Sequence, residues 1–159
     1  MTDPTLAPAE DRLAVGGDEI AFRVTSDASD GSVVAYDAWL APGGGPPALH
    51  RHAAFELFRV EQGELAFYLE DADGSVARSV AGPGVVVAIS SGREHTVRNE
   101  SGHEAHAFVV LSPGGQMERF ARAADALGAR GASEPAQILA LAAEHGIEIP
   151  RPLDAHHRT

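Results

Sequence analysis

The chain has 159 residues, a formal net charge of −11 and an apolar fraction of 44% with 6% aromatics, which suits one globular domain with its own core and little else. It contains no cysteine and all 12 basic residues are arginine, so disulfides, thiolate metal sites, cysteine nucleophiles and lysine Schiff-base chemistry are excluded together. The acidic balance opposes partnership with nucleic acid or an anionic membrane, because phosphate affinity depends on basic patches.

The first stretch, MTDPTLAPAEDR, has neither the basic n-region nor the apolar h-region of a secretory leader, and no apolar run approaches the ~18 residues of a membrane span. Cytoplasmic residence is the expectation. Residues 1–17 hold prolines, acids and a Gly-Gly pair and are expected to form an N-terminal arm. A β-domain is expected over 18–113, then a helical extension and tail over 114–159.

Within the β-domain a first strand is expected at Glu19 to Thr25, followed by the polar turn Ser26 to Ser32. Val33 to Leu40 follows as a second strand. Asp37 burdens one of its faces, so Val34, Tyr36, Ala38 and Leu40 make the core face, and Trp39 points outward as a candidate interface residue. The Gly/Pro stretch Pro42 to Pro47 feeds a strand through His50. Glu56 to Gln62 and Glu64 to Glu70 are joined by a tight turn at Gly63. Ser75 to Val80 comes next, and Val85 to Ile89 is a continuous apolar run of the kind buried on both faces. A strand through His95 and another over Glu104 to Ser112 complete the set. Strand-sized runs at this close spacing favour a sandwich or barrel over βαβ units.

After Pro113 the pattern becomes helical. Met117, Phe120, Ala124 and Leu127 fall at helical spacing, with Gly128 as a stop. Ser133 is placed to cap a second helix, whose apolar stripe is Ile138, Leu139, Leu141 and Ala142. The tail from Ile147 to Thr159, with its prolines, is expected to be irregular.

Chemistry concentrates in GGPPALHRHAAFELFRVEQG, residues 44–63. Side chains alternate faces along a strand, so His50 and His52 share one face while Arg51 points away. Their Cα atoms lie about 6.6 Å apart, close enough for two imidazoles to reach one ion at about 2.1 Å. Glu56 follows four positions later, and His95 arrives from GREHTVRN after the turn Ser90-Ser91-Gly92. Three imidazoles and one carboxylate suit Fe, Mn, Ni, Cu or Zn as a single divalent ion. Phe58 shares parity with Glu56 and Phe67 lies on the adjoining strand. His106 shares parity with Phe108. These four residues are the candidate pocket lining, and Met117 with Phe120 a candidate lid.

These spacings resemble the two signatures of the cupin superfamily. The first runs Gly44, five residues, His50, one, His52, three, Glu56, six, Gly63. The second runs Gly84, five, Ser90, one, Gly92, two, His95, three, Asn99, with Ser90 where the family usually carries proline. The resemblance implies an all-β double-stranded β-helix, the cupin jelly-roll barrel, with two C-terminal α-helices. It also implies a metal held by His50, His52, Glu56 and His95.

In layout the chain is similar to the single-domain cupins related to quercetin 2,3-dioxygenase. That group implies a metal-dependent dioxygenase acting on an enol-bearing or aromatic small molecule, with Glu56 as both ligand and base. Two other readings stay open on the same residues: a non-redox isomerase or polyketide cyclase, and a binding module that turns nothing over. Open jelly-roll edges and an outward Trp39 make a homodimer the expected assembly.

Overall fold

The computed structural model describes residues 12–131 and 134–152. In chain order the strands are β1 (Leu13–Val15), β2 (Asp18–Val24), β3 (Val34–Leu40), β4 (Ala48–Arg51), β5 (Phe55–Gln62), β6 (Leu65–Glu70), β7 (Val76–Ala81), β8 (Val86–Ile89), β9 (His95–Arg98) and β10 (Ala105–Ser112). Two helices follow, α1 (Gly115–Ala129) and α2 (Pro135–Glu144), and then β11 (Glu148–Pro152). The strands form two antiparallel sheets, β1-β2-β3-β10-β5-β8 and β11-β4-β9-β6-β7. From β3 to β10 consecutive strands therefore alternate between sheets, apart from the β6–β7 hairpin, as in a jelly roll.

Strand parity decides what is inside. On β3, Val34, Tyr36, Ala38 and Leu40 are buried, and on β10 the inward set is Ala105, Ala107, Val109 and Leu111. Phe58 on β5 meets Phe67 on β6 edge to face, with centroids 5.3 Å apart and planes at 73°. Phe58 and Phe67 thus bridge the two sheets through the core. Each such ring contributes roughly 1.5–3 kcal/mol through burial, and the pair about 1 kcal/mol more through ring geometry.

Two turns show why particular residues are needed. At Gly63 the chain leaves one sheet for the other with φ +77°, and a Cβ there would sit 3.1 Å from the Ala105 Cα. Asn99 is fully buried and works as a strand-end clamp. Its Nδ2 donates to the carbonyls of Leu40 (2.9 Å) and His103 (2.7 Å), while its Oδ1 accepts from the Ser101 N–H and hydroxyl.

Four features differ from the sequence expectation. Leu13–Val15, expected in the N-terminal arm, pairs with β2; the arm's residues 1–11 lie outside the described part. The run Val85 to Ile89 is not buried on both faces: β8 is an edge strand paired only with β5, and Val85 and Val86 are 45% and 52% exposed. The tail expected to be irregular forms β11 as far as Pro152. Pro150 and Pro152 are tolerated because β11 is itself an edge strand, where missing N–H donors need no ladder partner. Arg51 donates to Glu148 at 2.6 Å and Arg151 to Glu94 at 2.6 Å, which fastens β11 to the sheet. Helix α2 is capped by a reciprocal Glu134–Gln137 box; Ser133, the expected cap, lies outside the described residues, as do His156 and His157.

Candidate metal centre

The pairing of β4 with β9 sets His50 directly opposite His95. His52 follows at the end of β4, and Glu56 comes from the inner face of β5. Sequence-distant residues thus share one inner surface. The ring nitrogens of His50, His52 and His95 lie within 4.8 Å of one another. Glu56 stands beside them, its Oε2 3.1 Å from His52 Nε2 and 3.0 Å from His95 Nε2. His52, Glu56 and His95 are buried and His50 is half-buried, and His50, Glu56 and His95 line a cavity.

The opposite edges of the three rings fix their tautomers. His50 Nδ1 lies 3.2 Å from the Ala48 carbonyl, His52 Nδ1 3.1 Å from that of Ala54, and His95 Nδ1 2.8 Å from that of Arg93. A carbonyl only accepts, so each Nδ1 carries its hydrogen and donates it. In the neutral ring Nε2 is then a bare lone pair. A carboxylate is also acceptor-only, so His52, His95 and Glu56 turn acceptors toward one another at 3.0–3.1 Å. Only a positive charge satisfies that arrangement, either a proton or a metal ion. Backbone-oriented imidazoles with their free nitrogens aimed at one point are the outer support that metal-binding histidines require, so the donor set fits a divalent transition metal.

Protonation follows the same logic. Burial alone would raise the Glu56 carboxyl, but its bonds to His52 and His95 outweigh burial and hold it at about 2. Burial likewise pulls His95 down, and Glu56 reverses this, leaving His95 above its ordinary value. For His50 desolvation wins, aided by repulsion from His95, and the ring drops to about 3. The buried carboxylate thus favours the proton on His95, while His50 stays neutral.

The centre forms one end of a cavity of about 470 Å³. Its walls are Ile20, Tyr36, Ala38 and Leu40 on one sheet and Val97 on the other. The Gly/Pro loop 41–47 closes one side, and Met117, Phe120, Ile138 and Leu139 roof it from α1 and α2. The two helices thus cover the barrel rather than packing away from it. The loop is shaped by Asp18, whose carboxylate accepts the Ala41 N–H at 3.0 Å and the Gly45 N–H at 2.7 Å. Burial raises the Asp18 carboxyl, against the pull of those two N–H groups. Gly44 has no alternative here, since a Cβ would come within 2.1 Å of Asp18 Oδ1.

Of the four expected pocket residues, only Phe58 lines this cavity. Phe67 is spent in the inter-sheet core. His106 and Phe108 are corrections: the core face of β10 is the alanine–valine–leucine set, and these two residues point outward. His106 stacks on Trp39 with centroids 5.1 Å apart, and its Nε2 lies 2.6 Å from the Asp37 carboxylate. Trp39 does face outward, but Arg12 lies 3.6 Å from its ring centroid on the β2 side and His106 flanks it from β10. Sequence reasoning placed Tyr36 in the core and missed its access to the cavity; a lone tyrosine on an otherwise aliphatic inward face is the signal that could have marked it.

Residues 38–111 match the family described as Cupin domain. Among solved structures, an oxalate decarboxylase of Bacillus subtilis aligns with a TM-score of 0.56 at 17% identity over 65% of this chain and 27% of its own. The chain therefore spans about a quarter of the oxalate decarboxylase it resembles, and the likeness is one of fold. The protein TT1209 from Thermus thermophilus aligns with a TM-score of 0.46 at 24% identity, over 52% of this chain and 73% of its own. No curated protein matches the chain.

Proposed function

Because the chain belongs to the cupin superfamily, through the domain at residues 38–111, we propose that it is a metal-dependent, dioxygenase-like enzyme acting on a largely apolar, enol-bearing or aromatic small molecule. The observation that carries this reading is the cavity of about 470 Å³ ending at His50, His95 and Glu56. Its lining is aliphatic and aromatic almost throughout. A dianion as small as oxalate would leave most of that volume empty. Arg98, the one guanidinium among the described lining residues, already donates to the Gly45 and Gly43 carbonyls. An apolar body with one polar edge suits this site better.

In this reading His50, His52 and His95 hold the ion, and Glu56 is either a fourth ligand or a base. A bound divalent ion would supply Lewis acidity toward an enol oxygen or, if redox-active, a route for O₂ chemistry. The chain's own contribution is positional. The three backbone carbonyls orient the imidazoles, Glu56 is kept ionised and able to take the enol proton, and the helical roof excludes water around it. The decisive experiment is an oxygen electrode. Protein loaded with Fe, Mn, Ni or Cu is given 3-hydroxyflavone as the enol probe, and consumption of O₂ with loss of the probe supports the dioxygenase. Turnover by Zn-loaded protein without O₂ would instead establish the isomerase or cyclase alternative.

A homodimer belongs to the same proposal. The surface that supports it is the open edge of β8, where Val85 and Val86 are exposed, rather than Trp39, whose ring is already flanked. Light scattering showing a monomer at micromolar concentration would reject it.

A further inference from the structure

Tyr36 holds a polar group that none of the described residues uses. It stands on the inner face of β3, and β10 carries the register across: Tyr36 opposes Val109, which opposes Phe58, while Glu56 lies one inward row away opposite Leu111. The residue is 6% exposed and lines the cavity that ends at Glu56. Phe22 fixes its ring edge to face at 5.6 Å. Among the described residues none accepts a hydrogen bond from its hydroxyl, although buried tyrosine hydroxyls ordinarily find a partner. Burial, reinforced by the Glu56 charge, pushes the phenol well above its ordinary value. At neutral pH the phenol therefore keeps its hydrogen and can donate it. Among the described residues that line the cavity, Asp18 and Arg98 are engaged with the 41–47 loop, which leaves the histidine–Glu56 end and this tyrosine as the polar stations on an otherwise apolar wall.

Resting on the function proposed above, we infer that Tyr36 is the second anchor of the ligand: its hydroxyl donates a hydrogen bond to an acceptor oxygen on the ligand while another ligand oxygen faces the histidine–Glu56 end. The ligand class is thereby narrowed to compounds that carry, besides the oxygen at the histidine–Glu56 end, a second oxygen able to accept a hydrogen bond, both on an apolar body. A monofunctional enol or phenol would leave the tyrosine without a partner, at a cost in affinity.

The test uses the full chain loaded with Zn(II), which does not consume the ligand oxidatively, and measures binding rather than turnover. The probes are 3-hydroxyflavone and 3-phenyl-2-naphthol, which keeps a hydroxyl on an unsaturated planar ring and lacks the carbonyl. Wild type should prefer 3-hydroxyflavone, and Tyr36→Phe should lower that preference about tenfold while bound zinc stays the same. An unchanged preference in Tyr36→Phe overturns the anchor and leaves the proposed function standing. Equal weakening of both probes also overturns it, since that marks a packing role. Failure of wild type to bind 3-hydroxyflavone overturns the proposed substrate class itself.

Discussion

Two histidine–carboxylate groups are found among the described residues, and their contrast shows what distinguishes a reactive site from a structural one. On the outer face His106 meets Asp37 at 2.6 Å, Arg23 reaches the same carboxylate at 2.7 Å, and Trp39 stacks on the imidazole. Every charge there has a partner and a share of solvent. On the inner face Glu56 meets His52 at 3.1 Å and His95 at 3.0 Å, with no guanidinium among the described residues paired to it. The rings have committed their Nδ1 hydrogens to the backbone, so the inner group lacks a positive charge that the outer group already owns. Residue types are nearly the same; what differs is whether the fold has completed them.

The contrast breaks most sharply at a ligand. His95→Ala should reduce bound metal at least about a hundredfold, beyond the roughly 10–100-fold that supporting residues cost, with the far-ultraviolet signature of the sheets retained. Elemental analysis of purified variant protein checks this, and metal content equal to wild type would remove the centre. Asp37→Asn, on the outer face, should leave metal content untouched.

Acidity sharpens it next. Glu56 sits at about 2 against an ordinary 4.5, so its stabilisation is present above 4.5 and fades as pH falls toward 2. His95 is raised above 6.5, so its contribution is present below 6.5 and is lost as pH climbs through the raised value. His50, lowered to about 3, works the other way, its contribution complete above 6.5 and shrinking as pH falls below it, so in metal-stripped protein the cluster should be most stable in a narrow window around 6.5. Metal should add most to the melting temperature above that window, where no proton competes for His95. Melting curves with chelator and with Zn(II) across pH test both limbs, and a metal effect that grows as pH drops would refute the assignment.

Smaller effects come from the completed pair. Burial would raise Asp37, but Arg23 and His106 prevail and hold it below its ordinary 3.8, so its contribution persists above 3.8 and is lost under it. Asp37→Asn should cost about 1 kcal/mol in urea unfolding, the scale of a partly exposed hydrogen-bonded ion pair. A cost above about 3 kcal/mol would mean that the outer group is as demanding as the inner one.

Much of this was legible from spacing. His-x-His on a strand places two rings on one face whatever the rest of the chain does, and β3 parity follows from where Asp37 falls. The signature spacings carried the barrel. What failed did so for reasons beyond local pattern. Parity on β10 offers Phe108 and Val110 or Ala107, Val109 and Leu111, and only the facing sheet selects the second set. The apolar run at Val85 to Ile89 reads as interior because hydropathy records composition, not which neighbour a strand lacks. Tyr36 looked like core because the cavity exists only once helices from the far end of the chain are laid across it.

Those helices leave β10 at one end and run into β11 at the other, and β11 is held against β4 by Arg51–Glu148. A cover with an abutment on each bank behaves as a bridge, not a hinged door. Swinging it aside means unzipping β11 from the very strand that carries His50. Traffic into the barrel and the grip on that imidazole are thus mechanically linked, and severing the span between α2 and β11 should loosen both at once.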